Sequence, residues 1–199
     1  MSHPDPVSAR TLTSLTGEHI PIPSPGHLVH LQFRRFAGCP VCTLHLRSIV
    51  AGLADIRAAG IREVVVFHSS AAELRKYTAD LPLDVIPDPD RGLYREFGVE
   101  SGARALLDPR GWPTIARAVG AELAATGRHS GRPAPPAHPE GGRLGLPADF
   151  LIAPHGAVLA AKYGTHVDDQ WSVGELLTLA AEHGTPATPA ASSPKETRL

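Results

Sequence analysis

The chain has little cysteine, no long apolar run and almost no net charge. Two cysteines among 199 residues cannot build the framework of a disulfide-stapled secreted domain, which needs several pairs spread along the sequence. No apolar stretch approaches the ~20 residues that cross a membrane as a helix. Met1 to Arg10 carries no apolar segment of the kind found in a secretory signal. With 19 Lys and Arg against 20 Asp and Glu the net charge is −1, so neither general nucleic-acid binding nor charge-driven membrane attachment is expected. Aromatic residues make up 5% of the chain, but 42% is hydrophobic, enough for a sizeable core without staples. These exclusions leave a soluble, cytoplasmic, largely single-domain protein as the expectation.

What the sequence has in excess is glycine and proline, 19 and 20 residues, and they cluster. Seven of the twelve residues from Gly131 to Gly142 are Gly or Pro, which predicts a mobile surface loop without a packed element. Residues 184–199 hold three prolines and one large apolar residue and are expected as a disordered tail. Between these segments the hydrophobic periodicity alternates. Leu12 to Ile22 suggests a short edge hairpin, and His27 to Phe36 a half-buried strand. A helical stripe from Val41 to Ile56 is stopped by Gly60. The β-branched run in Ile61–Phe67 predicts a strand buried on both faces. Ser69 or Ser70 can cap the next helix, with Glu73 placed for a capping box. A short strand at Leu83–Ile86 and a short helix at Arg91–Phe97 follow, then a helix over Trp112–Ala125. Leu146–Ile152 and Val158–Tyr163 form an antiparallel hairpin, and Ser172 caps a last helix, Val173–Glu182. Strands alternating with helices imply parallel pairing through right-handed crossovers, with the hairpin adding the remaining edge.

Both cysteines lie in one motif, Cys39-Pro40-Val41-Cys42, where the first main strand turns into the first long helix. The unpaired N–H groups of a helix start favour a thiolate. Arg34, Arg35, His45 and Arg47 lie near enough in sequence to add to that field. Residues three apart share a helix face, so the two thiols can form a disulfide. Cys39, at the exposed end, is expected as the nucleophile with a lowered pKa, and Cys42, one turn deeper, as the resolving thiol. A zinc site built on Cys39, Cys42 and His45 lacks a second ligand pair, and Thr43 stands where a c-type haem site needs histidine. No metal and no organic cofactor is therefore expected. His68, at the end of a central strand, is expected to be a hydrogen-bonded structural residue. Asp149 is either a sheet-face hydrogen-bonding group or a carboxylate near the cysteines able to relay protons. Trp112 and Trp171 are expected to pack, and Asp168-Asp169 to face the positive end of the last helix.

Four stretches together resemble the AhpC/TSA peroxiredoxin-like family of the thioredoxin-fold superfamily. They are Gln32–Cys42, Ile86-Pro87-Asp88-Pro89 with Tyr94–Val99, Leu146–Ile152, and Gly156-Ala157-Val158. The resemblance implies a thioredoxin-like domain over residues 11–183, a central mixed sheet flanked by helices, with residues 100–142 as an insertion holding a helix and the Gly/Pro-rich loop. It implies that Cys39 attacks a hydroperoxide and becomes a sulfenic acid, and that Cys42 condenses with it to a disulfide. A thioredoxin-like or small-thiol reductant would reset the pair. It further implies a cis Leu146–Pro147 bond that sets Leu146 against the Cys39 sulfur, and Arg143 as the counterpart of the family's distal arginine. The sequence departs from the family at Gln32 and Phe36, where proline and threonine are usual. Rival readings are a protein thiol-disulfide reductase and a redox-responsive binding protein that is not an enzyme. A homodimer is among the assemblies open to the chain.

Overall fold

The computed structural model describes residues 6–99, 108–127 and 133–183. The expected tail, 184–199, lies outside the described residues, as do parts of the 100–142 insertion. Strands β1 (Arg10–Thr13) and β2 (His19–Ile22) form the expected antiparallel ribbon. The main sheet is built on β3 (Leu28–Arg34), β4 (Ile61–Phe67), β5 (Asp84–Pro87), β6 (Ala148–Ile152) and β7 (Val158–Tyr163). Its order is β5-β4-β3-β6-β7, with β3, β4 and β5 parallel and β6 and β7 antiparallel. This is the mixed sheet that the pattern of strands and helices predicts. Among the described residues, no helix is long and apolar enough to cross a membrane.

The helices are α1 (Pro40–Ala51), α2 (Leu53–Ala58), α3 (Ala71–Thr78), α4 (Gly92–Glu96), α5 (Trp112–Gly127) and α6 (Val173–Glu182). One helix was expected from Val41 to Gly60; two form. The break falls at Gly52, where a Cβ would meet Val173 Cγ1 of α6 at 2.7 Å. Close helix packing, invisible to local periodicity, sets that bend. At α6 the Ser172–Glu175 capping box is complete. At α3, Ser70 accepts from Glu73 N, but the Ser70 backbone N–H is taken by Glu140, so the reciprocal half of the expected box is absent.

Alternation along the strands separates two cores. Val29, Leu31, Phe33, Val64, Val66, Phe150 and Ile152 face the β1–β2 ribbon together with Tyr94 and Phe97. The few aromatics concentrate here: Phe33 lies 5.0 Å from Tyr94, 5.2 Å from Phe97 and 5.7 Å from Phe150 by ring centroids. Such pairs add about 0.5–1.5 kcal/mol each beyond area burial.

The other face lies under α1, α2 and α6, whose Ile49, Ile56, Leu176 and Ala180 pack on Leu28, Ile61 and Leu151. Strand β3, expected half-buried, is buried throughout because these helices cover its polar side. His30, Gln32 and Arg34 there join Glu63 of β4 and Asp149 of β6 in a buried ionic seam. His30 Nδ1 lies 2.9 Å from Glu63 Oε2 and its Nε2 lies 3.2 Å from Asp149 Oδ1. Arg34 Nη2 donates to Gln32 Oε1 at 2.5 Å and to Asp149 Oδ1 at 2.7 Å, and Gln32 Nε2 donates to Glu63. Burial alone would strip His30 of its proton. The carboxylates on its two nitrogens outweigh that and raise its pKa to about 9. Two carboxylates thus balance one guanidinium and one imidazolium, the condition under which buried charge is tolerated.

Candidate active site

Gly38 turns the chain from β3 into α1 with φ +76°. A Cβ there would stand 2.7 Å from Tyr77 Cε1 and 2.9 Å from Pro136 Cδ. Only glycine meets both conditions. Cys39 is then the N-cap of α1, with Pro40 in the first turn, as the motif predicts. Three donors converge on Cys39 Sγ: Arg35 Nη2 at 3.0 Å, Cys42 N at 3.3 Å and Cys42 Sγ at 2.6 Å. Both thiols are free.

Two expectations are corrected here. Cys39 is not exposed: its relative exposure is 1%, against 5% for Cys42. Nor does Cys39 alone titrate low. Burial, then the charge and hydrogen bond of Cys42, push Cys39 well up. Cys42, although buried, is drawn down to about 6 by its bond to Cys39 and by the Arg35 guanidinium. The sulfurs share a proton across 2.6 Å. Losing the first leaves one negative charge on the pair near pH 6, and that charge holds back the second proton. Arg35, 4% exposed, is in turn held charged by the sulfurs, which outweigh its desolvation.

Arg143 is not the guanidinium at the thiols. Its Nη2 donates to Pro136 O at 2.8 Å and to Ala137 O at 2.7 Å, and its charge lies over the Phe36 ring at 5.8 Å. Arg35 occupies the place expected of it, and Arg35 Nη1 donates to Arg143 O at 3.3 Å. The sequence signal for Arg35 was its position four residues before Cys39, shared there with Arg34. The strand separates the pair, sending Arg34 into the seam.

The Leu146–Pro147 bond is trans; among the described residues the cis bond is Ile22–Pro23. Trans is the ordinary state of such bonds, and Leu146 reaches the apolar cluster of Cys39 and Cys42 without a cis turn. Asp149 is fully buried, bonded to Arg34, to His30 and to Trp171 N at 3.3 Å. It is a sheet-face group, its pKa lowered because Arg34 and His30 overcome the effect of burial. His45 Nε2 lies 3.0 Å from Arg34 Nη2, which turns it to the seam, away from the thiols as a third zinc ligand would not be. Burial and Arg34 keep it neutral.

His68 departs from expectation: it is buried, yet neither ring nitrogen has a hydrogen-bond partner among the described residues. Burial and the neighbouring Arg91 lower its pKa to about 4. Trp171 packs as expected, whereas Trp112 is 58% exposed. Asp168 and Asp169 accept from Thr114 and Thr165 and so brace the turn before α6, not its N-terminus.

The Gly/Pro-rich segment forms no helix or strand, as expected, but it is not a free surface loop. Tyr77 OH donates to Ala134 O at 3.1 Å, Ser70 N donates to Glu140 Oε2 at 2.8 Å, and Arg91 donates to Gly141 O. These bonds strap residues 133–143 against α3 and the Gly38 turn that leads into Cys39. What is left beside the sulfurs is a cavity of about 20 Å³, lined by Gly38, Cys39, Cys42, Leu46, Tyr77 and Thr78. The larger cavities, about 340 Å³ by His27, Arg57 and Glu63 and about 490 Å³ by Phe97 and Val158, border neither cysteine. The thiol pair is where the chemistry is concentrated.

The fold has relatives. The peroxidoxin BcpB of Mycobacterium tuberculosis is 15% identical with a TM-score of 0.62, over 93% of this chain and 99% of that one. Peroxiredoxin Q of Xanthomonas campestris gives 17% and 0.58, over 88% and 92%. A putative thiol:disulfide interchange protein DsbE of Chlorobium tepidum gives 20% and 0.55, over 91% and 98%. These likenesses show a thioredoxin-like fold. No curated protein sequence matches the chain. The profile of the AhpC/TSA antioxidant enzyme family matches residues 48–166, from within α1 past the end of β7 and so downstream of both cysteines. The chain belongs to the AhpC/TSA antioxidant enzyme family.

Proposed function

We propose that the protein reduces hydroperoxides through Cys39 and Cys42. The observation that carries this reading is the convergence of Arg35 Nη2 and two Cys42 groups on Cys39 Sγ inside a closed site. A guanidinium there stabilises the thiolate and can polarise a peroxide oxygen at the same point. Once the pair has lost its first proton, the remaining one passes to Cys42 across the 2.6 Å contact; the Cys39 thiolate so formed attacks the terminal oxygen of ROOH, the O–O bond breaks, and ROH leaves with a proton taken up from solvent. Cys39 becomes a sulfenic acid. Cys42, protonated in that state, displaces the hydroxyl as water and closes the disulfide. Two reducing equivalents from a thioredoxin-like or small-thiol reductant restore the dithiol, as in the reducing environment of a cytoplasmic protein. The family and the peroxiredoxin neighbours support the reading.

Stoichiometric hydrogen peroxide added to reduced protein tests it. Loss of two hydrogens by intact mass within seconds is expected, with Cys39→Ser inert and Cys42→Ser halting at a dimedone-trapped sulfenic acid. Slow oxidation together with rapid insulin disulfide reduction would favour the reductase instead. Sulfenate on Cys42 in Cys39→Ser, formed at the wild-type rate, would reverse the assignment of the two cysteines.

A further inference from the structure

The strap of residues 133–143 is tied to α3 and to Arg91 at the start of α4, and its position is defined by what it touches. Tyr77 of α3 bonds Ala134 O and sets its ring edge against Gly38, where Pro136 also arrives. Arg143 clamps the carbonyls of Pro136 and Ala137 while its guanidinium rests over Phe36. Glu140 reaches the N-cap of α3 and Gly141 O accepts from Arg91. Gly141 approaches so closely that a Cβ there would collide with His68 Nδ1. These contacts hold the segment against Tyr77 and the Gly38 turn.

On the other side of Tyr77 and Gly38, the space open beside Cys39 and Cys42 is about 20 Å³. A cavity needs roughly 10–15 Å³ on this measure to hold one water. The site takes a molecule of one or two heavy atoms. The walls come from α1, α3, the end of β4 and Leu81, with Leu46, Phe67 and Thr78 buried. Of the walls that reach the surface, Arg47 is exposed and Thr43 and Leu81 are half-buried, while half-buried Tyr77 is the one pinned in place, by its bond to Ala134 O and by its ring against Gly38. From this we infer that Tyr77, backed by Pro136, is a specificity-determining residue: it makes the thiol site a size filter that admits hydrogen peroxide and rejects hydroperoxides with a bulky alkyl or aryl group. The inference rests on the peroxide-reducing role proposed above and deepens it. A bulky hydroperoxide needs a wider path to Cys39 Sγ than the cavity leaves, and the pinned Tyr77 ring narrows that path, whereas hydrogen peroxide fits without moving it. Rejection here comes from a built-in obstacle, not from weaker attraction.

Two measurements test it on the full chain. In the first, reduced wild type, Tyr77→Ala and Tyr77→Phe are oxidised by hydrogen peroxide and by cumene hydroperoxide, with disulfide formation followed by mass. Wild type should react with hydrogen peroxide roughly 100-fold faster than with cumene hydroperoxide, about the upper range of discrimination by pocket shape. Tyr77→Ala should close that gap to within roughly tenfold by accelerating the bulky substrate. Tyr77→Phe, which keeps the ring, should retain the wild-type preference. In the second, no peroxide is used. The thiols of the same proteins are labelled with methyl methanethiosulfonate and with a fluorescein maleimide, and Tyr77→Ala should selectively accelerate the larger reagent. Equal wild-type rates with both peroxides would overturn the filter, as would a Tyr77→Ala protein of unchanged preference whose near-ultraviolet circular dichroism is native. Size-selective labelling without oxidation by hydrogen peroxide would sink the peroxidase reading and, with it, the filter's assigned substrate, while leaving the closure itself in evidence.

Discussion

At the scale of single residues, Arg34 and Arg35 are adjacent in sequence and serve different ends. Arg34 is spent in the ionic seam, and Arg35 holds the Cys39 sulfur at 3.0 Å. A thiol pair buried this deeply would lose a proton only at alkaline pH, because desolvation opposes charge. That the first proton leaves at about 6 depends on the Cys39–Cys42 bond and on Arg35. Oxidation by hydrogen peroxide should therefore rise with pH through about 6 and level off above it, since the thiolate is the reactive form. In Arg35→Met the inflection should move up by roughly 1–2 pH units, and the rate at neutral pH should fall about 10–100-fold, combining thiolate loss with lost polarisation of the peroxide. Thiolate ultraviolet absorbance against pH, beside the rate profile, separates the two contributions. An unmoved inflection would remove Arg35 from the thiol chemistry.

At the scale of elements, what was legible in the sequence was what local chemistry specifies. The β-branched run of β4, the Ser172–Glu175 box of α6 and the placing of Cys39 at a helix start all depend on neighbours within a few residues. Long-range packing was not legible: the Gly52 break set by Val173, the strap bonded to α3 beside the Gly38 turn, and the choice of Arg35 over Arg143. The seam was the subtlest case. Polar residues at 30, 32 and 34 alternate as they would on a strand with one wet face, and only the helices packed above show that face to be dry. The seam carries its own prediction. His30 is raised to about 9 in the fold from an unfolded value near 6.5. A folded pKa above the unfolded one stabilises fully below pH 6.5 and is lost as pH rises toward 9, at most about 3 kcal/mol. Urea midpoints between pH 6 and 9.5 should fall accordingly. They are best taken in a Cys39→Ser/Cys42→Ser background, so that thiol titration does not contribute. His30→Gln should flatten that slope while lowering stability overall, because it leaves the two carboxylates short of a cation. A slope that persists in His30→Gln would assign the alkaline loss to other groups.

At the scale of the whole molecule, the sheet separates stability from chemistry. The aromatic core, Phe33, Tyr94, Phe97 and Phe150, lies on the ribbon side, and the thiols, Arg35 and the strap lie on or beyond the helix side. Tyr94 links the two halves through its hydroxyl, which reaches Arg34 O and, at 3.1 Å, Val66 O, but these are backbone contacts of the strands and not of the site. Phe150 is fully buried, with Phe97 at 5.1 Å and Tyr163 at 5.4 Å in edge-to-face contact. Truncating it removes apolar burial, leaves a cavity and dissolves several ring pairs, so Phe150→Ala should cost about 3–5 kcal/mol. That is a large share of the roughly 5–15 kcal/mol that holds a domain of ordinary stability. The urea midpoint should drop sharply, yet below the unfolding transition, at low temperature, the rate of disulfide formation with hydrogen peroxide should stay within about twofold of wild type, because sites without shared partners act nearly additively. Leu46→Ala makes the contrast. Leu46 is equally buried but lines the thiol cavity from α1, so its loss should lower stability by about 2–5 kcal/mol and also alter the rate and the preference between small and bulky peroxides. If Phe150→Ala slowed the chemistry as much as Leu46→Ala in fully folded protein, the sheet would be transmitting strain between its faces, and the separation argued from its alternation would be wrong.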